Sequence, residues 1–147
     1  MNKKAEKFNE MLEKAEIKAF QTEEMQDDFH TMIYRSNMQI SGQNLPMALI
    51  LDDSIYAMCR VWVAVKVVKD SNRESVAQYL NETNQRYKVF KYYITEDGDI
   101  VLDCCMPAND DQFDPELVRT ILDVVLRHLE EKYAELMKTV WAEGAEK

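Results

Sequence analysis

The segment from Ile55 to Val68, IYAMCRVWVAVKVV, alternates with a period of two. Its odd positions, among them Ala57, Cys59, Val61 and Val63, are all apolar; its even positions, Tyr56, Met58, Arg60, Trp62 and Lys66 among them, are mixed. Period-two alternation with β-branched residues on one side predicts a strand buried on one face and amphipathic on the other. The same pattern recurs upstream. Between Phe29 and Ile40, Met32, Tyr34, Met38 and Ile40 share a face, and Arg35, Asn37 and Gln39 point the other way. The turn cluster Ser41-Gly42-Gln43-Asn44 separates this strand from Met47–Leu51, with Pro46 at the start of the latter, where a missing donor is tolerated. Asp52-Asp53-Ser54 turns the chain into the Ile55–Val68 strand, so the three form an antiparallel meander.

A further pair is predicted at Tyr87–Thr95 and Ile100–Met106. The Asp97-Gly98 step between them is a hairpin signal, because both residue types tolerate positive φ. Three stretches have helical spacing instead. Lys3–Glu16 places Phe8, Met11, Leu12 and Ala15 on one side. A second helix, with a Ser71/Glu74 capping box, carries Val76, Tyr79 and Leu80 and runs to about Gln85. The last opens on Asp114-Pro115-Glu116 and carries a wide apolar stripe from Leu117 to Trp141. The segment Ile17–Asp28 reads as irregular and acidic, and the tail from Ala142 to Lys147 as frayed. The expected order is α-β-β-β-α-β-β-α, an α+β domain spanning 1–147 with a five-stranded, mainly antiparallel sheet and three helices.

Charge narrows the possible partners. A net charge of −9 repels phosphate backbones and anionic lipid, so nucleic acid and membrane are not expected partners. No apolar run approaches the ~20 residues that cross a bilayer, and the N-terminus lacks the apolar core of a secretory signal. The odd cysteine count (Cys59, Cys104, Cys105), with no CxxC, predicts reduced protein in the cytoplasm.

Little chemistry is expected. His30 and His128 are the only histidines, and no zinc-ligand spacing appears. Asn109-Asp110-Asp111 with Asp114 lacks the glycine and terminal glutamate of a calcium loop. The three glycines form no phosphate-binding motif, and no metal or organic cofactor is expected. Cys59 and Cys104 fall on core faces, where thiols are inert; Cys105 points the other way and is the one candidate nucleophile.

The segment from Tyr79 to Asp103, YLNETNQRYKVFKYYITEDGDIVLD, together with the order of elements, resembles the YbjN-like family of putative bacterial sensory transduction regulators. The resembling features are Leu80, Asn81 and Asn84, a hairpin with an acidic-Gly turn, and a long amphipathic helix after it. The resemblance implies the fold of type III secretion chaperones and a small dimeric binding or regulatory domain, with no catalytic residues to carry over.

Two functions follow as expectations. The first is a non-enzymatic, chaperone-like or regulatory homodimer that binds a protein or peptide. Its candidate surface is Tyr56, Met58, Trp62, Val89, Tyr93 and Val101 on the second sheet face. Tyr133, Met137 and Trp141 join them at the far end of the last helix. That helix is about 40 Å long at ~1.5 Å per residue, against about 23 Å for a seven-residue strand at ~3.3 Å per residue, so its distal turns need cover from the first helix or a second subunit. The alternative is a small cytoplasmic enzyme using Cys105 or an acidic site.

Overall fold

The computed structural model describes residues 1–142. The elements are α1 (Lys3–Lys14), β1 (Gln21–Glu24), β2 (Met32–Ile40), β3 (Gln43–Leu51), β4 (Tyr56–Ala64), α2 (Arg73–Arg86), β5 (Lys91–Ile94), β6 (Ile100–Pro107) and α3 (Pro115–Val140). One antiparallel sheet takes all the strands, in the order β1-β2-β3-β4-β6-β5. The α+β class and the three helices are as expected, but the sheet has six strands, not five. The additional strand, β1, lies inside the segment read as irregular. Its residues, Gln-Thr-Glu-Glu, are all exposed, so it has no apolar alternation to detect. A short, charged edge strand of this kind also resists pairing with other chains.

The period-two pattern holds where the strands pair. On β4, Ala57, Cys59, Val61 and Val63 are buried, and so are their neighbours Leu45, Met47, Leu49 and Leu51 on β3 and Ile100, Leu102 and Cys104 on β6. Met32, Tyr34, Met38 and Ile40 bury the same side of β2. All these side chains belong to one core cluster, which also takes Phe8 from α1, Val76 and Leu80 from α2, and Val118, Val125, Leu129, Leu136 and Val140 from α3. The three helices therefore cover one face of the sheet. The ends of the long alternating run behave differently: Ile55 and Val65 lie outside β4 and are exposed. Pro46 stands inside β3 rather than at its start, and the β3–β4 ladder begins only beyond it, at Met47 opposite Val61.

Buried polar groups pin the helix ends. Asn2 is the N-cap of α1: its Oδ1 accepts from the Ala5 N–H at 2.8 Å, and its Nδ2 donates to the His30 and Leu51 carbonyls, each at 2.8 Å. Lys4 is buried and donates to the carbonyls of Ser54 and Tyr56, so α1 is clamped to the β3–β4 turn. Desolvation lowers the pKa of its ammonium, against the pull of Asp52, Asp110 and Asp53. Tyr34 stacks edge-on to Phe8 and Phe20 and donates to Asn9 Oδ1 at 2.7 Å.

The start of α2 differs from the expected Ser71/Glu74 box. Asn72 is the N-cap residue, with no side-chain bond to the helix. Its side chain is buried and bonds elsewhere: Oδ1 accepts from Lys69 N–H, and Nδ2 donates to the carbonyls of Val67 and Val140, both at 3.0 Å. Asn72 thus ties the β4–α2 connection to the last turn of α3. The distal half of α3 is covered by α2 within the same chain, with Leu136 and Val140 buried and Tyr133 and Met137 packed on the core. These turns were expected to need α1 or a second subunit; α2 lies over them. Trp141 alone of the distal candidates is exposed, at 61%.

The β5–β6 hairpin also departs from the expected two-residue turn. Ile94 pairs with Ile100 around a five-residue loop, and only Gly98 has positive φ, at 84°. The Gly98 carbonyl accepts from the Val67 and Val68 N–H groups, which brings the backbones together. A Cβ on Gly98 would sit 2.4 Å from the Val68 carbonyl oxygen. Gly42, at φ 78°, has nothing within 4 Å of such a Cβ. Gly42→Ala should cost about 1 kcal/mol from φ alone, and Gly98→Ala should cost at least about 2 kcal/mol because the clash adds to it. Urea midpoints of the two variants measure the difference; equal losses would refute the close-approach role of Gly98.

His128 makes a second prediction. Its ring is buried among Tyr87, Phe90 and Tyr92, with Nε2 2.8 Å from the Tyr92 hydroxyl and no partner for Nδ1. Desolvation, aided by Lys132, pushes its pKa down to about 4. The unfolded chain takes up this proton near pH ~6.5, the folded chain only near pH 4. The unfolded state therefore binds more protons in that window, and stability falls as pH drops through it, by about 2 kcal/mol at pH ~5. Denaturant titrations at neutral pH and in that window should show the slope, and His128→Leu should flatten it. An unchanged slope in the variant would assign the acid sensitivity to other groups.

Candidate functional site

Among the described residues, all three helices pack on one face of the sheet and none covers the other. The strand register places the side chains of this open face in rows that cross the strands, three of which run through its middle. One row runs Glu23, Ile33, Ile50, Met58, Cys105. The central row runs Gln21, Arg35, Ala48, Arg60, Asp103, Lys91. The third contains Asn37 beside Pro46 and Trp62 beside Val101 and Tyr93. Two mostly apolar rows therefore flank a polar one.

The centre of the face is an ion pair. Arg60 Nε and Nη2 donate to Asp103 Oδ1 and Oδ2 at 2.8 and 2.9 Å, a two-pronged arrangement that fixes both side chains. They retain 31% and 19% side-chain exposure, so the pair is partly dry already. Ala48, next to Arg60 across the strands, is buried and leaves a low point in the middle of the face. Arg35 at the β2 end pairs loosely with Glu23 at 3.2 Å, and both remain half exposed.

Around this pair the apolar side chains stay in reach of water. Tyr56 is 48% exposed and Tyr93 40%, while Met58, Trp62, Ile33 and Ile50 are half-buried. Trp62 and Pro46, with Ala19, Gln21, Arg35 and Asn37, line a shallow depression of about 330 Å³ at one corner. Aromatic, methionine and arginine side chains are the ones enriched in protein interfaces. Substrate pockets are deeper and converge several polar groups on one point.

Of the expected surface residues, the structure brings Tyr56, Met58, Trp62, Tyr93 and Val101 onto this face. Val101 lies there but is almost fully buried, because Trp62 and Tyr93 flank it on both sides. Val89 does not belong: β5 starts at Lys91, not Tyr87, and Val89 precedes it and packs on the core. The aromatic run Tyr87-Lys88-Val89-Phe90 alternates like a strand, yet Tyr87 and Phe90 stack on each other at 5.1 Å and against His128, and this packing holds the segment off the sheet. Tyr133 and Met137 lie on α3 and Trp141 is its C-cap residue, so all three belong to the helix side of the sheet. The sequence reading missed the Arg60–Asp103 pair. Cross-strand charge pairing of this kind becomes visible only once the β4–β6 register is known.

The chemistry of a thiol enzyme finds no support here. Cys59 and Cys104 are buried, and desolvation pushes their thiols up to about 12 and about 11. Cys105 is exposed, but desolvation and the Asp103 carboxylate raise its pKa too, against forming a thiolate. His30 is exposed and pairs with Asp53 of the β3–β4 turn at 2.6 Å. Among the described residues no group of three His, Cys, Asp or Glu side chains is placed to hold a metal ion. No helix among them is long and apolar enough to cross a membrane.

No curated protein matches this chain. The family model described as "Putative bacterial sensory transduction regulator" matches residues 5–137, from α1 into the distal turns of α3 and across the whole sheet between them. The chain belongs to the YbjN family.

Proposed function

We propose that this chain is a non-enzymatic regulatory domain that works by binding polypeptide through the open face of its sheet, in the manner of a chaperone-like module in the cytoplasm. The observation that carries this reading is the Arg60–Asp103 pair set among Tyr56, Met58, Trp62 and Tyr93, on a face no element covers. The raised thiol of Cys105 argues against the alternative of a cysteine enzyme, and membership of a family described as regulators accords with a binding role. A polypeptide as the occupant of this face, rather than nucleic acid or membrane, fits the acidic charge of the chain.

Photocrosslinking tests the surface. With benzoylphenylalanine replacing Trp62, irradiation in cells should yield polypeptide adducts. The same residue replacing Val124, exposed on the outer side of α3, should yield few. Adducts at position 124 with none at position 62 would move the binding surface to the helices and overturn the reading. Trp62→Glu should abolish binding while leaving the stability within about 1 kcal/mol of wild type, because the indole lies outside the core cluster and keeps partial contact with water. A binding-competent Trp62→Glu protein would remove the open face from consideration.

A further inference from the structure

The open face has a symmetry that the three rows make explicit. The six-strand order puts the midline of the sheet between β3 and β4, with β2 and β6 equidistant from it, and β1 and β5 at the edges. Imagine a second copy laid face to face by a two-fold axis along that midline. Each row then meets itself in reverse. In the central row, Arg35 of one copy falls opposite Asp103 of the other, and Arg60 falls opposite the small Ala48. In the first row, Ile50 meets Met58 and Ile33 meets Cys105; in the third, Pro46 meets Trp62 and Asn37 meets Val101.

A two-fold axis lying along the central row would instead set Arg60 over Arg60 and Asp103 over Asp103, like against like. Between these two, charge favours the axis parallel to the strands. Under that axis Asp103 accepts from its own Arg60 and from Arg35 of the other copy, so each carboxylate gains a second cation as the face dries. Arg60 finds the low point that Ala48 leaves. Strands related this way run aligned, the arrangement in which twisted sheets stack.

At ~4.8 Å between strands and ~3.3 Å per residue, the face spans roughly 20 by 25 Å, about 500 Å² in projection before side-chain relief, against the ~800 Å² per partner of a standard interface. Tyr56 and Tyr93, the most exposed aromatic side chains of the face, lie toward opposite ends of it.

We propose that the open face is the interface between two copies of this chain, related by a two-fold axis parallel to the strands between β3 and β4, with Arg35 of each copy paired to Asp103 of the other. This rests on the reading of that face as the binding surface and names its occupant. Light scattering after size exclusion, from low micromolar concentration upward, should give twice the 17.3 kDa of the chain. Arg35→Glu and Trp62→Glu should each weaken the dimer roughly tenfold or more, with unchanged circular dichroism, whereas Trp141→Glu should leave it intact. Facing sheets lie ~10 Å apart, so a bismaleimide of ~10 Å span should join Cys105 to a cysteine introduced at Ile33 on the other copy and yield a covalent dimer. A mass near 17.3 kDa at every concentration overturns the proposal. So does a dimer that ignores both Arg35→Glu and Trp62→Glu, or one that Ile33→Cys cannot lock. The two readings separate by the adducts at position 62: a monomer whose adducts all contain a different polypeptide sinks only the second copy, and a chain with no adducts there sinks both.

Discussion

Everything in this molecule follows from a sheet that is covered on one side only. The single crossover between β4 and β5 carries α2 over the same face on which α1 and α3 pack, so all three helices spend their apolar stripes on one set of strand residues. That is why β4 alternates so strictly between buried and half-buried positions. The other face has to remain stable in water while supplying alternate residues to the same strands. It does this with an ion pair and a buried alanine at its centre, and with large side chains that are only partly withdrawn from solvent.

The covered side is closed at its ends by polar groups rather than by more hydrocarbon. A helix start or a loop brought against a sheet leaves backbone donors and acceptors that must be matched. Asn2 and Lys4 match those around the β3–β4 turn, and Asn72 matches those between the β4–α2 connection and the end of α3. Each spends a buried side chain to close several carbonyls at once. The consequence for function is rigidity: the turns at the ends of β3, β4 and β6 are held from beneath, which keeps the open face in a fixed shape.

The strands with an apolar alternation were legible from sequence, because a buried face imposes a period of two that no helix shares. The helices at Lys3, Arg73 and Pro115 were legible for the corresponding reason. What escaped were features with local alternatives. Strand β1 is polar all round and exists only because the edge of β2 offers it partners. Tyr87–Phe90 alternates as a strand would, but its aromatic rings gain more by stacking on each other and on His128 than by pairing with β6. Ser71/Glu74 is a sound capping box, yet Asn72 reaches a carbonyl of α3 that is 68 residues away in the chain. The candidate surface divided the same way. The β4 side chains fall on the open face because their strand was legible; Val89 does not, because the Tyr87–Phe90 packing keeps it out of β5, and Tyr133 and Met137 do not, because they pack on the core beside α2, whose position no pattern reveals. The ion pair at the centre of the face depends on register, which a single strand does not encode.

That ion pair also decides what kind of surface this is. A partly exposed Arg–Asp pair adds little to the stability of the isolated fold, because water competes for both groups. Once a partner excludes water, the same pair must either find further hydrogen bonds or pay the desolvation of two charges. A plain apolar partner would impose that cost on Arg60 and Asp103 without offering anything back. A partner that presents a cation over Asp103 and a small residue over Arg60 would not. The apolar rows make the face adhesive, and the polar row between them makes it selective. Selectivity of this sort comes from what mismatched partners lose rather than from what the matched one gains. In the proposed binding role, such a penalty sits at the middle of the contact surface, where no solvent at the rim can relieve it.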